Sequence, residues 1–276
     1  MKRISIILTR YNEPNYLVIP CLESLSKQKN INSIIYFLDQ RNDKKIREFC
    51  RKLTNKRNKI IYKKIQAKSL SYARNFGIKL SKTNLVLFTD CDAILEENWA
   101  FELSKTFDIN KKIVIVGGKS QPLWLEKTKW YHKSNIIRDI YSLFDIGDEI
   151  KQTDRIVGVN FAIRKDLLGG EAYFNKDLGR RPGSLLGGEE SDLCKRTIKK
   201  NLLIYYTPNA IIKHQIQKDR MSLKWIIRRF YYGGYSKALT GGSPKTYSDK
   251  RNIYDILLLV IIIIPYLFGY LVGKLK

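Results

Sequence analysis

Apolar residues along this 276-residue chain fall into two alternating patterns. Short apolar-rich runs at residues 3–9, 33–38, 59–65, 85–88, 113–116 and 158–163 read as strands, the first of them of the parallel type covered on both faces. Between them lie stretches whose apolar positions recur at helical spacing, as at Leu17, Val18, Cys21, Leu22 and Leu25 within residues 15–28. Residues 43–53, 69–80 and 99–107 also read as helices, and Ser69 supplies a helix-start signal. Strands alternating with helices predict an α/β fold, a mixed and mainly parallel doubly wound sheet flanked by helices. Further on, the aromatic-rich residues 124–144 are expected to be helical and residues 147–154 to form a polar loop. A glycine-rich loop then runs into a helix with an acidic first turn, and residues 203–206 and 210–213 read as two short strands ending at His214.

The last pattern has no polar face. Residues 253–272 are almost wholly apolar, and about twenty helical residues span roughly 30 Å, the thickness of a bilayer's hydrocarbon core. A single transmembrane helix over residues 253–273 is therefore expected, against the alternative of a buried core helix. Tyr254, Tyr266 and Tyr270 would serve as interfacial anchors. The remaining 1–250 form one domain, with a nucleotide-binding part at about 1–118 and an acceptor-side part at about 119–250.

Charge changes the picture more than composition does. A formal net charge of +25 calls for an anionic partner: a nucleic acid, an acidic membrane surface or a phosphorylated substrate. Cys21, Cys50, Cys91 and Cys194 are scattered without zinc-site spacing, which fits a reducing compartment. Basic residues are spread along the chain and no nucleic-acid recognition motif is present, so a nucleic-acid binder is the weaker reading.

The candidate chemistry sits at strand ends. The run at 85–88 stops at Asp90 and Asp92, whose alternation places both carboxylates on one side, a site suited to a hard divalent cation. Tyr11-Asn12-Glu13 and Asp39 close two other strands, and ligands of open α/β sheets collect outside the carboxyl ends of strands. Neither a G-x-G-x-x-G fingerprint nor a P-loop accompanies them. Glu189, Glu190 and Asp192 open a helix, where the dipole favours acidic residues for structural reasons alone.

Five segments, taken together and in order, resemble the family 2 glycosyltransferases of the GT-A fold, over roughly residues 5–237. They are Thr9-Arg-Tyr-Asn-Glu-Pro14, Leu70-Ser-Tyr-Ala-Arg-Asn-Phe-Gly-Ile78, Asp90-Cys-Asp92, Gly187-Gly-Glu-Glu-Ser-Asp-Leu-Cys-Lys-Arg196, and the basic aromatic stretch at 220–234. The resemblance implies an inverting transfer from a nucleotide-diphosphate sugar, UDP-linked most commonly, to an acceptor hydroxyl. It implies that Thr9, Tyr11, Asn12, Glu13, Asp39, Arg74 and Asp90 bind the nucleotide. Asp90, Asp92 and His214 would then hold Mg²⁺ or Mn²⁺, Glu190 (or its neighbour Glu189) would be the catalytic base, and Asp192 and Trp124 would face the acceptor. Two departures stand out: Asp39-Gln-Arg-Asn42 where the family commonly has Asp-Asp-Gly-Ser, and Glu190 where it usually has aspartate.

With the apolar C-terminus, the expectation is a cell-membrane enzyme whose catalytic domain faces the cytoplasm, where nucleotide sugars are made. Its acceptor would be lipid-linked or a cell-envelope glycan, in polysaccharide biosynthesis. A nucleotidyltransferase with a similar sheet is the nearer alternative.

Overall fold

Eight residues at the start of the chain, seven of them buried, form the strand on which the others are laid. In the computed structural model, which describes residues 2–66, 68–169, 173–241 and 252–275, this is β1 (Arg3–Arg10). It is followed by α1 (Asn15–Ser26), β2 (Asn32–Asp39), α2 (Lys44–Leu53), β3 (Asn58–Lys64), α3 (Leu70–Leu80) and β4 (Leu85–Asp90). The four strands pair in parallel in the order β3-β2-β1-β4, the arrangement expected when a helix returns the chain across the sheet after each strand. Side-chain caps fix two helix starts: Asp43 accepts from the Ile46 N–H and Ser69 from the Tyr72 N–H.

Beyond Asp90 the sheet becomes mixed. The chain adds β5 (Ala93–Leu95), α4 (Trp99–Thr106), β6 (Ile113–Trp124), β7 (Lys151–Gln152), β8 (Asn160–Arg164), α5 (Lys165–Leu168), α6 (Glu189–Lys199) and β9 (Leu203–Ile216). The sheet order is β3-β2-β1-β4-β8-β6-β9-β5, with β7 on β9. Strand β8 runs antiparallel to both β4 and β6, while β6 and β9 are parallel. Three details differ from the sequence reading. β6 continues to Trp124, because its partner β9 extends alongside it. The two short strands expected near the end are one 14-residue strand, β9, crossing Pro208 and Asn209 at a register shift. Residues expected to be one helix form 3₁₀ segments, Trp130–Lys133 and Asn135–Tyr141.

Apolar packing covers both faces of the sheet. Val18, Leu22, Leu25 and Trp99 pack on one face, and Ile78, Phe174, Leu193 and Cys194 on the other. All four cysteines are buried and free. A third cluster joins the 3₁₀ segments to α7 (Leu223–Leu239) and α8 (Ile253–Lys274), through Ile137, Tyr141, Ile226, Phe230, Leu258 and Ile262.

Helix α8 is long and apolar enough to cross a membrane. One of its sides is nonetheless packed along α7. A Cβ added at Gly234 would collide with the Tyr266 carbonyl, and one at Gly269 with the Tyr231 carbonyl. Tyr235 likewise meets Gly273, so the two helices run in the same direction with their backbones in near contact. At the start of α8, Asp255 is fully buried and accepts from the Ser134 hydroxyl and the Asn135 N–H, each at 2.6 Å. It also forms a reciprocal cap with Asn252. The other side, carrying Val260, Ile264, Phe268 and Leu271, is exposed. The chain enters this helix from a polar stretch at 240–251, of which 242–251 lie outside the described residues.

Candidate active site

Parallel register brings the strand-end residues together. Thr9 on β1 lies opposite Asp90 on β4, and its hydroxyl is 3.3 Å from Asp90 Oδ1. On the other side of the motif, β5 pairs with β9 so that Ala93 lies opposite His214, and the Gln215 N–H donates to the Asp92 carbonyl at 2.8 Å. That pairing sets His214 Nε2 3.4 Å from Asp92 Oδ1. The sequence therefore spends an otherwise unremarkable three-residue strand on joining the acidic motif to a histidine 122 positions away.

His214 is held in a defined orientation. Its Nδ1 is 2.7 Å from the Tyr141 carbonyl, which can only accept, so Nδ1 carries a proton and Nε2 is the atom turned to Asp92. Asp92 is 3 % exposed, and its Oδ1 has no hydrogen-bond partner among the described residues. The other oxygen accepts from Arg220 Nη1 at 2.9 Å. Burial acts to raise the Asp92 carboxyl, but His214 and Arg220 outweigh it and hold the group well below the usual carboxylate range. An orphaned carboxylate oxygen facing an oriented imidazole is a donor pair that suits Mg²⁺ or Mn²⁺. Among the described residues no three acidic, histidine or cysteine side chains form a cage, so ligands from a bound phosphate would have to complete the shell.

Arg220 also ties the metal motif to the first loop. Its Nη2 is 3.6 Å from Glu13 Oε1, while Glu13 Oε2 accepts from the backbone N–H groups of Tyr11 and Asn12. Tyr11 and Asn12 are themselves exposed. Asp39 is fully buried: Oδ1 accepts from the Arg41 N–H at 2.8 Å and Oδ2 from the Tyr62 hydroxyl at 2.6 Å. Its carboxylate braces the loop that follows β2.

The second half of the site surrounds Arg74. This guanidinium is 1 % exposed and lies against the rings of Phe161 and Phe174, 5.5 Å from each centroid. Nη1 donates to Glu190 Oε1 at 2.7 Å and to Glu189 Oε1 at 3.3 Å. Nη2 donates to the Gly158 carbonyl at 2.9 Å and lies 3.6 Å from Asp90 Oδ1. Position 158 must be glycine for this contact, since a Cβ there would collide with Glu190 Oε1. Sequence reasoning sends Arg74 toward a diphosphate; the structure sets it between the two glutamates and the first aspartate.

The two glutamates respond oppositely. Burial, then the charge of Glu190, pushes the Glu189 carboxyl up to about 8. Burial also acts on Glu190, but the charge and hydrogen bond of Arg74 outweigh it and lower that group. At neutral pH the pair therefore holds one proton, on Glu189, and Glu190 is the ionised partner. Asp90 is raised by burial despite Arg74.

These groups open into a cavity of about 1160 Å³ lined by Arg74, Asp90, Arg180, Glu189, Glu190 and Arg229, with the side chains of α8 along one wall. Of the residues expected on the acceptor side, neither is among its described lining. Trp124 packs edge-on against His132 and Tyr141, and Asp192 pairs with Arg196 at 2.8 Å within α6. Three arginines not singled out individually in the sequence also enter: Arg180 from the glycine-rich loop, Arg220 from a 3₁₀ turn at Asp219–Met221 and Arg229 from α7, the last two within the basic aromatic stretch at 220–234.

Comparison with known proteins gives a consistent picture. The profile of glycosyl transferase family 2 matches residues 5–169. The chain is 23% identical over 203 residues to a glucosyl-dolichyl phosphate glucuronosyltransferase of Haloferax volcanii, covering 71% of this chain and 64% of that one. It is 22% identical over 228 residues to the glycosyltransferase GlyA of Streptococcus pneumoniae, covering 81% of this chain and 32% of that one. Among solved structures, GalNAc-T7 with UDP, GalNAc and Mn²⁺ superposes with a TM-score of 0.59 at 14% identity, over 86% of this chain and 50% of that one. S. aureus TarS 1-349 with UDP-GlcNAc gives 0.58 at 15% identity, over 96% and 72%. At these identities the structural likeness establishes the fold, a GT-A sheet flanked by helices.

Proposed function

From the premise that the chain belongs to glycosyl transferase family 2, we propose that it transfers a sugar, with inversion, from a UDP-linked donor to a hydroxyl of a lipid-linked or envelope-glycan acceptor. The observation that carries this reading is the linking of a carboxylate, Glu190, to the Asp90/Asp92/His214 group across one buried guanidinium. Donor nucleotides in the superposed complexes, UDP with GalNAc and UDP-GlcNAc, favour a UDP-sugar here. The dolichyl phosphate in the name of the Haloferax volcanii relative favours a lipid-linked acceptor.

In the proposed reaction the acceptor hydroxyl attacks the anomeric carbon from the face opposite the nucleotide. Its proton passes to Glu190, and the bond to the diphosphate breaks in the same step. A neutral hydroxyl is a poor nucleophile, and proton removal by a positioned carboxylate is worth about 10²–10⁴ in rate. Arg74 fixes the orientation of Glu190 and keeps it in the basic form. Asp92, His214 and Asp90 would hold Mg²⁺ or Mn²⁺, which when bound neutralises charge on the leaving diphosphate. Thr9 and the Tyr11–Glu13 loop border the nucleotide, with Asp39 bracing the loop beside the base.

The exposed side of α8 supports attachment to a membrane. The catalytic domain would face the cytoplasm, where nucleotide sugars are made. Release of nucleoside diphosphate from a panel of nucleotide sugars, with Mn²⁺ or Mg²⁺ and a lipid extract, tests the reaction. Metal-dependent release that requires the extract is expected. No release from any donor overturns the reading.

A further inference from the structure

The wall that α8 contributes to the active-site cavity is unlike the rest of its lining. Leu259, Ile263 and Leu267 recur every four residues and so share one side of the helix, with Ile262 and Tyr266 beside them. Ile263 and Leu267 remain 40% and 44% exposed. Their sequence neighbours Ile264 and Phe268 belong to the outward apolar surface, at 73% and 59%. The apolar wall of a cavity that holds Glu189 and Glu190 is thus continuous with the surface of the molecule best suited to lipid.

At the polar end of the same cavity lies Arg229. It comes from α7, donates from Nη1 to the Leu185 carbonyl at 3.1 Å, and makes no ion pair among the described residues. Its Nε is buried without a hydrogen-bond partner among the described residues. Burial, then repulsion by Arg180, brings this guanidinium down to about 10. Arg180 lines the cavity too, and no carboxylate stands within ion-pair distance of it among the described residues. Both glutamates are engaged by Arg74, so neither of these two cations has a direct ion-pair partner among the described residues. Leaving a buried charged donor unmatched is costly, and a phosphate supplies both the charge and the acceptor oxygens.

We infer that the cavity beside the α7–α8 seam seats an acceptor carrying a long-chain lipid phosphate, its apolar chain along Leu259, Ile263 and Leu267 and its phosphate at Arg229 and Arg180. This rests on the glycosyl-transfer reading and deepens it. The lipid enters from the exposed side of α8, and its phosphate stops at the guanidiniums, so the sugar attached to that phosphate reaches toward Glu190. The helix at the end of the chain is then part of the acceptor site as well as a surface for the bilayer.

A binding measurement on the full-length protein in detergent tests this without turnover. The probes are farnesyl phosphate, farnesol, inorganic phosphate and UDP. Farnesyl phosphate is expected to bind at least tenfold more tightly than farnesol, and Arg229→Gln to erase that difference. Leu267→Asn should weaken both farnesyl probes, while Val260→Asn on the outward side leaves both within twofold. UDP and inorganic phosphate should not displace farnesyl phosphate. Displacement by UDP would reassign the cations to the donor diphosphate, and displacement by inorganic phosphate would reduce the site to a free-anion site; either overturns the proposal. Equal affinity for the alcohol and the phosphate, or an unaltered preference in Arg229→Gln, also overturns it. Because no sugar is transferred, failure here is distinct from failure of the glycosyl-transfer reading, which shows as absence of nucleotide release.

Discussion

A buried arginine that bridges two adjacent glutamates gives those glutamates unequal protonation, and the inequality assigns their roles. Arg74 makes its shorter contact, 2.7 Å, with Glu190 and keeps it ionised. Glu189, 2% exposed and raised to about 8, is a neutral acid at physiological pH. Glutamine is close to isosteric with a protonated glutamate and cannot accept a proton from an attacking hydroxyl. Glu190→Gln is therefore expected to lower kcat by about 10²–10⁴ with donor affinity nearly unchanged, and Glu189→Gln to stay within a few-fold of wild type. The reverse ranking in steady-state kinetics would move the base by one residue. Glu189 also predicts a pH dependence of stability. Its folded value lies above its ordinary 4.5, so the native state binds the extra proton between about 4.5 and 8. Its stabilising contribution is full below that window and is lost as pH rises through it. Melting temperature should therefore fall more steeply with pH in the wild type than in Glu189→Gln across that interval. In the metal motif, Asp92→Asn removes the negative charge that faces His214 and Arg220, and should abolish metal-dependent binding of UDP while leaving metal-independent binding in place. Binding of UDP that still responds to Mn²⁺ in that variant, followed by calorimetry, would exclude Asp92 from the metal site.

Among the elements, the ones most plainly written in the sequence are those whose burial is uniform. β1, β2 and β4 are continuous apolar runs because parallel strands at the sheet centre are covered on both faces. The second half of β6 contains Lys119, Ser120 and Gln121, and β9 contains Pro208 and Asn209, residues that read as loop until a partner strand is supplied. Their pairing is long-range, and local composition carries no record of it. The site divides in the same way. Asp90, Asp92, Glu189 and Glu190 are visible as motifs, whereas the Arg74–Glu190 contact joins positions 116 apart and the role of Gly158 depends on a contact with neither neighbour in the chain. The α7–α8 seam is the clearest case. Gly234 and Gly269 look like helix-weakening residues inside an apolar segment, yet each is where one helix's backbone touches the other's. Gly234→Ala should push α8 off α7 and cost about 1–3 kcal/mol, the range for overpacking a tight contact. Gly241→Ala, whose added Cβ meets nothing within 4 Å, is a control for space, with strain only from its φ of 63°. A melting temperature in Gly234→Ala equal to that of the wild type would mean the seam is not tight in solution.

On the scale of the whole molecule, the question is what α8 does for attachment as distinct from folding. Deleting it would confound the two. The deletion would strip Leu258 and Ile262 from the third apolar cluster, unpair Ser134 and Asn135 from Asp255, and uncover the glycine side of α7. Substitution on the outward side separates them, because Val260, Ile264, Phe268 and Leu271 are 59–73% exposed and contribute little to the fold. Each side chain fully buried in lipid is worth about 1.5–3 kcal/mol, so four together dominate attachment. The exposed cations Lys224 and Arg228 on α7, and Lys274, add about 1 kcal/mol each at an anionic surface and are screened by salt. The wild type is therefore expected to stay with membranes through a high-salt wash and to need detergent for release. A variant with all four outward residues changed to glutamine should be released by salt alone, with an unchanged melting temperature and unchanged UDP affinity. It should also transfer less efficiently to a vesicle-embedded acceptor than to the same acceptor in detergent. If the four-residue variant remains bound after the salt wash, attachment does not run through this face of α8. If it loses UDP affinity, that face supports the fold of the site rather than its place on the bilayer.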